Sequence, residues 1–486
     1  MHRLRTIVFA LLAGLCIAAA AAAPVTVGSK RFTESYILGE IVRQTLVAAG
    51  VPAVHKQGLG NTGILEQALA SGAVDLYPEY TGTIVRELLH REGNPSLDEL
   101  NRLLAPRGLK VAVALGFNNT YALAMRDSTA QRLGIRTISD LAAHPDLRIG
   151  LSHEFLVRAD GWPALKQAYA LPQAPGAGLD HGLAYDALKG GQVDLIDVYS
   201  TDAKIGRDKL RVLKDDRNFF PKYDAVLLMR SNVDVRPLLP LAGRINEATM
   251  IGLNAEVELD GLSFEEVARR FVAGRTGSAT PRQSFMSRLF APDLARLTLQ
   301  HLLLVFGSLA LAVVVGVPLG IVAWRRPRLA GVLLGAVGVM QTIPSLALLA
   351  FLIALLGTIG VLPALLALFV YALLPIVRNT HAGLHGVPAG LTLAARALGL
   401  TSRQNLWLVQ LPLARPMLWA GVKTAAVINV GTATVAAFIG AGGYGERIVA
   451  GLAVNDAQAM LAGALPAAVL ALVVQLVFDG LERLWR

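Results

Sequence analysis

Residues 329–377 read LAGVLLGAVGVMQTIPSLALLAFLIALLGTIGVLPALLALFVYALLPIV, and this stretch contains no charged side chain. A transmembrane helix needs about 20 consecutive apolar residues, so the stretch is long enough for two crossings of a bilayer. A buried helix of a soluble protein is the alternative for one apolar run, but a charge-free stretch of this length disfavours it. The residues before position 294 have the mixed composition of a soluble protein. The sequence thus predicts a soluble domain followed by a membrane domain.

Five apolar runs in the second part are each long enough to span a bilayer. Arginines follow the first, third and last runs, as the positive-inside rule expects of cytoplasmic ends. The odd number of spans then predicts a multi-pass membrane protein, with the soluble domain on the extracytoplasmic side. Because basic residues of the second half lie at the ends of apolar runs, the net charge of +10 does not indicate nucleic-acid binding. The predicted spans are residues 297–324, 329–356, 360–377, 417–440 and 457–478.

The N-terminus has the pattern of an export signal. Arg3 and Arg5 form a basic start, residues 7–20 an apolar core, and the alanines at 21–23 a cleavage site. The predicted signal peptide is therefore residues 1–23. The only cysteine, Cys16, lies inside it, so cleavage would leave a protein without disulfides. An uncleaved anchor is the alternative, and it leaves the soluble domain on the same side.

The soluble part alternates short β-like runs with helical stretches. Residues 25–27 and 111–114 predict strands, and 34–49 carry apolar residues at helical spacing before Gly50. Such alternation favours an α/β fold with helices over a mixed sheet. Residues 274–293 contain the run Gly-Ser-Ala-Thr-Pro and predict a flexible linker to the membrane domain.

The loop between the third and fourth predicted spans follows the pattern Ala-Ala, three residues, Gly, nine residues, Val-x-Leu-Pro. It resembles the loop that ABC-importer permeases present to their ATPase. Two short helices are predicted, 391–398 and 402–410, with a sharp break between them and a proline ending the second. The family usually has Glu where Leu393 stands, which puts one polar contact with the ATPase in doubt. The motif positions are Ala394, Ala395, Gly399, Leu411 and Pro412.

An amphipathic helix lying at the membrane surface is the alternative for this loop. No Gly-rich phosphate loop ending in Gly-Lys-Ser/Thr occurs in the sequence, so ATP hydrolysis is expected on a separate ABC ATPase chain. A permease of five spans has to be paired to enclose a path, so we expect a homodimer in the membrane lipid. Glu446 and Asp456, between the last two spans, are expected to meet the soluble domain.

Several short segments of the soluble part form a second, more specific pattern. They are residues 28–34 (GSKRFTE), 58–62 (GLGNT), 77–83 (YPEYTGT), 115–117 (LGF) with 121–124 (YALA), 198–202 (VYSTD) and 221–225 (PKYDA). These segments resemble the glycine betaine/choline/carnitine-binding proteins of osmoprotectant ABC importers. The resemblance covers nearly all of the soluble domain, residues 24–273, and the permease resemblance covers most of residues 294–486.

The resemblance implies an α/β two-lobed clamshell, the periplasmic binding-protein fold, followed by an all-α five-span permease. It also implies a bacterial inner membrane, with the clamshell on the periplasmic side. One lobe would comprise residues 25–117 and 224–272, and the other residues 118–223, with the ligand between them. The family's aromatic cage would fall on four tyrosines. A quaternary ammonium has no N–H, so ring faces hold it, each contributing about 0.5–2 kcal/mol when desolvated. The four tyrosines are Tyr80, Tyr121, Tyr199 and Tyr223.

A carboxylate on the ligand would be held by Lys30, Thr83 and Arg158, which the resemblance places at the other end of the site. Lys offers a point charge, Thr a neutral donor and Arg a bidentate fork. Asn119 stands where the family makes a backbone contact near the ligand. Each residue also has a structural alternative: the tyrosines could pack as half-buried rings, Lys30 could be solvated, and Arg158 could pair with Asp160 or Glu154.

Two functional hypotheses follow. The first is a fused binding and permease subunit of an ABC importer for quaternary ammonium compatible solutes, and the second is a membrane-anchored betaine or choline receptor without transport. The loop motif favours the importer, because a receptor does not need it. An enzyme is not predicted, since no nucleophile–base pair or metal cluster is visible; no cofactor is expected. Choline lacks a carboxylate, so glycine betaine or a related betaine is the expected ligand, while the choice among betaines stays open.

Overall fold

The computed structural model describes residues 23–484 apart from 177, 275–283 and 454–455. Nearly all of the predicted signal peptide lies outside the described residues, as does much of the predicted linker. The part of the linker that is described contains a short helix, Phe285–Leu289, capped by the Ser284 side chain.

The soluble part contains two sheets. Their strands are β1 Val25–Gly28, β2 Ala53–Lys56, β3 Leu76–Tyr80, β4 Leu109–Asn118, β5 Tyr121–Arg126, β6 Ile149–Gly150, β7 Leu195–Tyr199, β8 Leu210–Val212 and β9 Asp224–Arg230. The first sheet has the order β2-β1-β3-β9-β4, and the second has the order β6-β7-β5-β8. In the first sheet β1 runs parallel to β2 and β3, whereas β9 runs antiparallel to β3 and β4, so the sheet is mixed.

The chain passes between the sheets twice, from β4 to β5 and from β8 to β9. We call the first sheet with its covering helices lobe 1 and the second sheet with its covering helices lobe 2. The predicted α/β clamshell is confirmed.

The helices are α1 Thr33–Ala48, α2 Thr62–Ala70, α3 Thr81–Thr83, α4 Leu97–Leu104, α5 Asp127–Leu133, α6 His153–Val157, α7 Trp162–Tyr169, α8 His181–Lys189, α9 Ala203–Arg207, α10 Glu247–Glu258 and α11 Phe264–Val272. Shorter helical turns are the π-helical Ile84–Leu88 and the 3-10 segments Ala105–Arg107, Ser139–Ala143 and Arg236–Leu241.

The longest helix of lobe 1, α1, fits its sequence prediction. Its first ten residues are buried from Thr33 to Val42, because the helix lies between β1 and the helices α10 and α11. The helix ends at Ala48, and Gly50, two residues further on, has a φ of 80°, the left-handed conformation that favours glycine. Burial of this helix places its first turn, next to the end of β1, at the edge of the cleft.

The remainder of the described chain is helical. After α12 Phe285–Leu289, the helices are α13 Leu294–Arg325, α14 Pro327–Thr342, α15 Ser345–Leu356, α16 Val361–His385, α17 Ala389–Ala397, α18 Ser402–Asn405, α19 Leu411–Thr432, α20 Gly445–Ala453 and α21 Ala457–Leu484. Two further segments, the π-helical Leu406–Gln410 and the 3-10 Ala433–Ile439, extend α19 at its two ends. Within the described residues four helices are long and apolar enough to cross a membrane, or five segments if one bent pair counts as a span.

The bent pair corrects the prediction of one continuous span at residues 329–356. Helices α14 and α15 meet at 101°. Pro344 follows the break, and Ile343 before it has the extended ψ of 125°. A residue before proline is driven out of the helical region by its contact with the proline ring. A kink at Pro344 is one interpretation that the sequence supports, but the run was still predicted as one continuous span.

The loop before the fourth span is partly as predicted. Helices α17 and α18 flank Gly399, whose φ is 83°, and the Thr401 side chain caps α18 in a capping box with Gln404. The prediction that Pro412 ends the second helix is wrong. The chain stays helical from Ser402 to Ile439, with Pro412 in the first turn of α19. The π-helical turn before it changes the hydrogen-bond register, which accommodates a residue that has no N–H.

The membrane helices pack through small residues. A methyl group on Gly320 of α13 would lie 2.6 Å from Cβ of Thr380 on α16, and one on Gly421 of α19 would lie 2.7 Å from Cβ of Asn379. Small residues allow such close helix contacts in lipid. Asn429 donates a hydrogen bond to the Ser308 hydroxyl across two helices at 2.9 Å. This polar group of the fourth span therefore makes a structural contact.

Candidate ligand-binding site

All eight predicted site residues line one cavity between the two sheets. The cavity residues are Lys30, Phe32, Tyr80, Thr83, Asn119, Tyr121, Glu154, Arg158, Tyr199 and Tyr223. Phe32 and Glu154 were not predicted as site residues, although Phe32 lies inside the segment 28–34 that carried the resemblance. The role of these residues in ligand binding stays a prediction.

The strand ends bring the side chains together. Tyr80 is the last residue of β3 and Tyr199 the last of β7, while Tyr121 begins β5. Tyr223 immediately precedes β9, and Asn119 lies in the crossover between the lobes, where its N–H donates to the carbonyl of Tyr223. Ligands of open α/β sheets bind outside the carboxyl ends of strands, so the cavity lies where this topology predicts a site.

The aromatic rings come from both lobes. From lobe 2, the centroids of Tyr121 and Tyr199 are 5.1 Å apart, and Tyr121 meets Tyr223 edge-on at 5.8 Å. From lobe 1, Phe32 lies 6.3 Å from Tyr80 and, across the cleft, 5.4 Å from Tyr199. These separations are typical of interacting aromatic rings. Closure of the lobes therefore completes the ring cluster.

The two predicted cationic contacts are already paired with buried carboxylates. Lys30 Nζ lies 2.7 Å from Glu79, so Lys30 is not solvated. Arg158 donates hydrogen bonds to Asp160 through Nε and Nη2, both at 2.7 Å. Pairing with Asp160 is one of the structural alternatives that the sequence left open for Arg158. Burial favours the neutral acid, but the Arg158 guanidinium and the Tyr223 hydroxyl hold the pKa of Asp160 below its usual value. Nη1 of Arg158 is 3.9 Å from Glu154, beyond hydrogen-bond distance.

Acidic side chains around the cavity outnumber basic ones. Glu154 lines the cavity and is 30% exposed, whereas Glu79 and Asp160 are buried beside Lys30 and Arg158. Opposite charge within a few ångströms stabilises a bound cation in such a partly desolvated site. The arrangement suits a ligand whose charge is positive or balanced and disfavours an anion.

A polar network behind the cage joins the lobes. Glu34, at the start of α1, accepts hydrogen bonds from the Tyr80 hydroxyl at 2.5 Å and Asn119 Nδ2 at 2.9 Å. It also accepts from Thr201 of lobe 2 at 2.5 Å and from Asn254 of α10 at 3.2 Å. Burial raises the pKa of Glu34, and the four donors oppose that rise. Sequence reasoning missed this residue, although both Glu34 and Thr201 lie in quoted motifs.

A histidine lies against the cage ring of Tyr199. His181, the first residue of α8, stacks on Tyr199 with centroids 4.3 Å apart and an angle of 30°. Its Nε2 lies 2.8 Å from Asp202, which also accepts from the Tyr185 hydroxyl. Burial lowers the pKa of an imidazolium, but Asp202 outweighs burial and raises the pKa of His181 to about 9. A charged imidazolium therefore packs against Tyr199 at neutral pH.

Comparison with known proteins identifies the two halves. Residues 23–274 match the family described as the substrate binding domain of ABC-type glycine betaine transport systems. Residues 312–486 match the inner membrane component of binding-protein-dependent transport systems. The chain belongs to these ABC importer families. It is a binding protein and a permease fused in one chain, so the predicted importer is confirmed.

Individual relatives agree with this assignment. Over 193 residues the importer chain is 45% identical to the osmoprotectant import permease protein OsmW of Salmonella typhimurium, covering 39% of this chain and 90% of the relative. It is 42% identical over 186 residues to the choline transport system permease protein OpuBB of Bacillus subtilis, covering 38% and 85%. The ergothioneine transport permease/ergothioneine binding protein EgtU of Helicobacter pylori is 35% identical over 263 residues, 51% of this chain and 47% of the relative.

These matches settle the general activity. The importer is a membrane protein that takes up a small-molecule ligand, and a separate partner ATPase supplies the energy, so the chain itself is a transporter subunit and not an enzyme. Nothing in the relatives supports the receptor hypothesis.

Proposed function

We propose that the importer carries a trimethylammonium solute and binds it in the cavity between the lobes. The main observation behind this proposal is that four aromatic rings from the two lobes line the same cavity. They are Phe32, Tyr80, Tyr121 and Tyr199. Ring faces attract a cation that cannot donate hydrogen bonds. The excess of acidic groups around the cavity supports the same choice, as do the choline and osmoprotectant names of the relatives.

A betaine is the preferred form of this solute. Nη1 of Arg158 is 3.9 Å from the carboxylate of Glu154, and Thr83 Oγ1 lies 3.4 Å from Nη2 of the same guanidinium. A ligand carboxylate at Nη1 would extend the charged network without displacing Asp160. Choline has no carboxylate to compensate the charges of Lys30 and Arg158. Both charges are already compensated by protein carboxylates, so this argument against choline as a ligand is weakened.

A betaine that also carries an N–H or O–H donor is a second candidate. Asn119 lines the cavity, is 5% exposed, and its Oδ1 has no hydrogen-bond partner. The amide orientation follows from Nδ2, which donates to Glu34. A buried acceptor without a donor costs free energy, and a ligand donor would remove that cost. Carnitine has a hydroxyl, and ergothioneine, the ligand in the name of EgtU, is a trimethylammonium betaine with ring N–H groups.

The remaining parts of the proposal concern assembly and domain limits. The signal peptide would be residues 1–23, the binding domain 24–273 on the periplasmic side, the linker 274–293 and the permease 294–486 in the membrane lipid. Two permeases would form a homodimer. The loop around Gly399 would bind the ATPase, and its side chains Leu393 and Leu398, 63% and 81% exposed, offer an apolar contact.

Isothermal titration of the full chain in lipid nanodiscs tests the ligand class. Glycine betaine, carnitine, choline and ergothioneine are titrated in turn. The matched control is 3,3-dimethylbutanoate, which has the shape of glycine betaine without its positive charge. We expect at least one trimethylammonium compound to bind and the control not to bind. Equal binding of the control, or no binding of any of the four, contradicts the proposal.

A further inference from the structure

A single acidic side chain stands among the described residues that line the ligand cavity. It is Glu154, the second residue of α6, whose first turn is capped by the Ser152 side chain. Arg158 follows the last residue of α6, and positions four apart on a helix lie on the same face. The Glu154 side chain is 30% exposed, whereas that of Arg158 is 4% exposed. Glu154 therefore lies at the solvent-facing edge of the cavity, next to the guanidinium.

The Arg158 guanidinium faces two protein carboxylates that are held with different firmness. Asp160 accepts from Nε and Nη2 at 2.7 Å and from the Tyr223 hydroxyl at 2.5 Å, and its side chain is buried. Glu154 faces Nη1 at 3.9 Å, beyond hydrogen-bond distance, and its side chain reaches water. Of the two carboxylates, Glu154 is thus the one that can move toward the guanidinium or away from it. Nη1 is the donor for which Glu154 and a ligand carboxylate compete.

The formal charges around the cavity indicate what Glu154 does to ligand selection. Lys30 with Glu79 and Arg158 with Asp160 form two buried pairs, each without net charge. Glu154 adds one negative charge to the cavity wall. A zwitterionic betaine leaves this charge uncompensated, whereas a trimethylammonium ligand without a carboxylate neutralises it. Because uncompensated charge is costly in a desolvated site, Glu154 favours the ligand with a net positive charge.

The charge of Glu154 reaches the aromatic cage. Burial raises the pKa of the Tyr199 hydroxyl, and the Glu154 carboxylate raises it further. Glu154 acts in the same direction on the pKa of Tyr121, where burial is again the main cause. A carboxylate that disfavours a further negative charge at these rings favours a positive charge there through the same interaction. The ammonium group of a ligand in the cage therefore lies within the field of Glu154.

We propose that Glu154 sets the ligand range of the importer by taking the place of the ligand carboxylate at Nη1 of Arg158. When a betaine binds, its own carboxylate occupies Nη1, and Glu154 turns toward water because like charges repel. When the ligand has no carboxylate, Glu154 pairs with Nη1 and compensates the ammonium charge. Monocations such as choline are thereby accepted beside betaines. The inference rests on the proposed function for the ligand class, and it assigns the selection of net charge to one residue.

A pair of ligands that differ only in charge tests this role. Glycine betaine and its amide have the same heavy-atom skeleton, but the amide is a monocation. Both are titrated into the full chain in nanodiscs, as the parent and as Glu154→Gln, which keeps the size of the side chain and removes its charge. In the variant we expect betaine to bind about threefold tighter and the amide about threefold weaker, so that the ratio of their dissociation constants shifts about tenfold.

Two further variants serve as controls. Glu87 accepts a hydrogen bond from the N–H of Ala159 at 3.1 Å, beside Arg158 but outside the cavity lining. Glu87→Gln removes a nearby charge and should leave the ratio within about twofold of the parent, because this charge does not face the ligand. Glu154→Asp keeps the charge and should restore most of the parent ratio. Glu154→Ala replaces the Gln variant if that variant does not fold, and the same shift is expected.

The outcomes separate the role of Glu154 from the ligand class. An unchanged ratio in the Gln and Ala variants, or an equal shift in Glu87→Gln, overturns the role of Glu154 and leaves the ligand class standing. A parent protein that binds neither glycine betaine nor its amide contradicts both proposals. A shift confined to the variants that lack the Glu154 charge, with recovery in Glu154→Asp, supports the assignment.

Discussion

Glu34 and Thr201 belong to opposite lobes, and the Thr201 hydroxyl donates a 2.5 Å hydrogen bond to the Glu34 carboxylate. The same carboxylate accepts from the hydroxyl of the cage residue Tyr80. A side chain that supports a cage ring therefore also holds the lobes together. The bond exists only while the cleft is closed, so its contribution belongs to the bound state.

Thr201→Val removes this hydroxyl at nearly constant volume. A buried acceptor that loses its donor costs about 1–3 kcal/mol, so the ligand dissociation constant should rise about fivefold or more. The unfolding midpoint without ligand should change little, because the open protein lacks the bond. Titration calorimetry and thermal unfolding check both parts, with Thr45→Val on α1 as control. An equal loss of stability with and without ligand would show a purely structural role.

Tyr199→Leu retains apolar area but removes the ring. We expect affinity for a trimethylammonium ligand to fall about tenfold, since a desolvated cation–π contact contributes about 0.5–2 kcal/mol and the His181 stack is lost as well. Tyr199→Phe keeps the ring and should bind within about threefold of the parent. Calorimetric titrations of both variants decide the matter. Unchanged binding by the Leu variant contradicts the cage.

Arg158→Ala separates ligands by their carboxylate. The affinity for glycine betaine should fall at least tenfold more than that for choline, because a hydrogen-bonded charge pair is lost only with the former. The substitution also leaves Asp160 buried without its cationic partner, so a loss of thermal stability is expected too. The ratio of the two affinities is the informative quantity. A ratio equal to that of the parent means that Arg158 does not bind the carboxylate.

Sequence motifs found the rings but not their partners. The four tyrosines each lie in a local segment, so a short pattern is enough to locate them. Glu34 binds Thr201 and Asn254, which are 167 and 220 positions away, and such pairs form only when the lobes fold and close. Asp160 is two residues from Arg158, so the sequence alone offers it as a partner of that residue. Glu79 is 49 positions from Lys30, and nothing in the sequence predicts that these two residues pair.

The two errors in the membrane domain have a common physical origin. Pro344 bends the second apolar run, and Pro412 does not end the helix that it was expected to end. A proline removes one N–H, and the remaining buried backbone groups must still find partners. The chain does so by a sharp bend in one case and by a π-helical turn in the other. Local proline rules do not distinguish these two outcomes.

The stability of lobe 2 should depend on the charge of His181. Its pKa is raised to about 9 in the folded protein, from an ordinary value of 6.5. A raised pKa contributes stability that is fully present below pH 6.5 and is lost as the pH rises through about 9. The difference in unfolding midpoint between the parent and His181→Gln should thus shrink from pH 6.5 to pH 10. A difference that stays constant over this range contradicts the charged pair with Asp202.

The ATPase contact can be tested without disturbing the loop itself. Ala395 is 5% exposed and Gly399 has a positive φ, so bulky changes at either position would alter the loop fold. Leu398 is 81% exposed next to the glycine, and Leu398→Glu changes only the surface. We expect ATP-driven glycine betaine uptake into membrane vesicles to fall at least tenfold while betaine binding to the same variant is unchanged. Leu239→Glu, at a 52% exposed leucine of the binding domain, is the control and should retain uptake. Full uptake by the Leu398 variant would mean that this side chain does not contact the ATPase, whereas loss of both uptake and binding would indicate a folding defect.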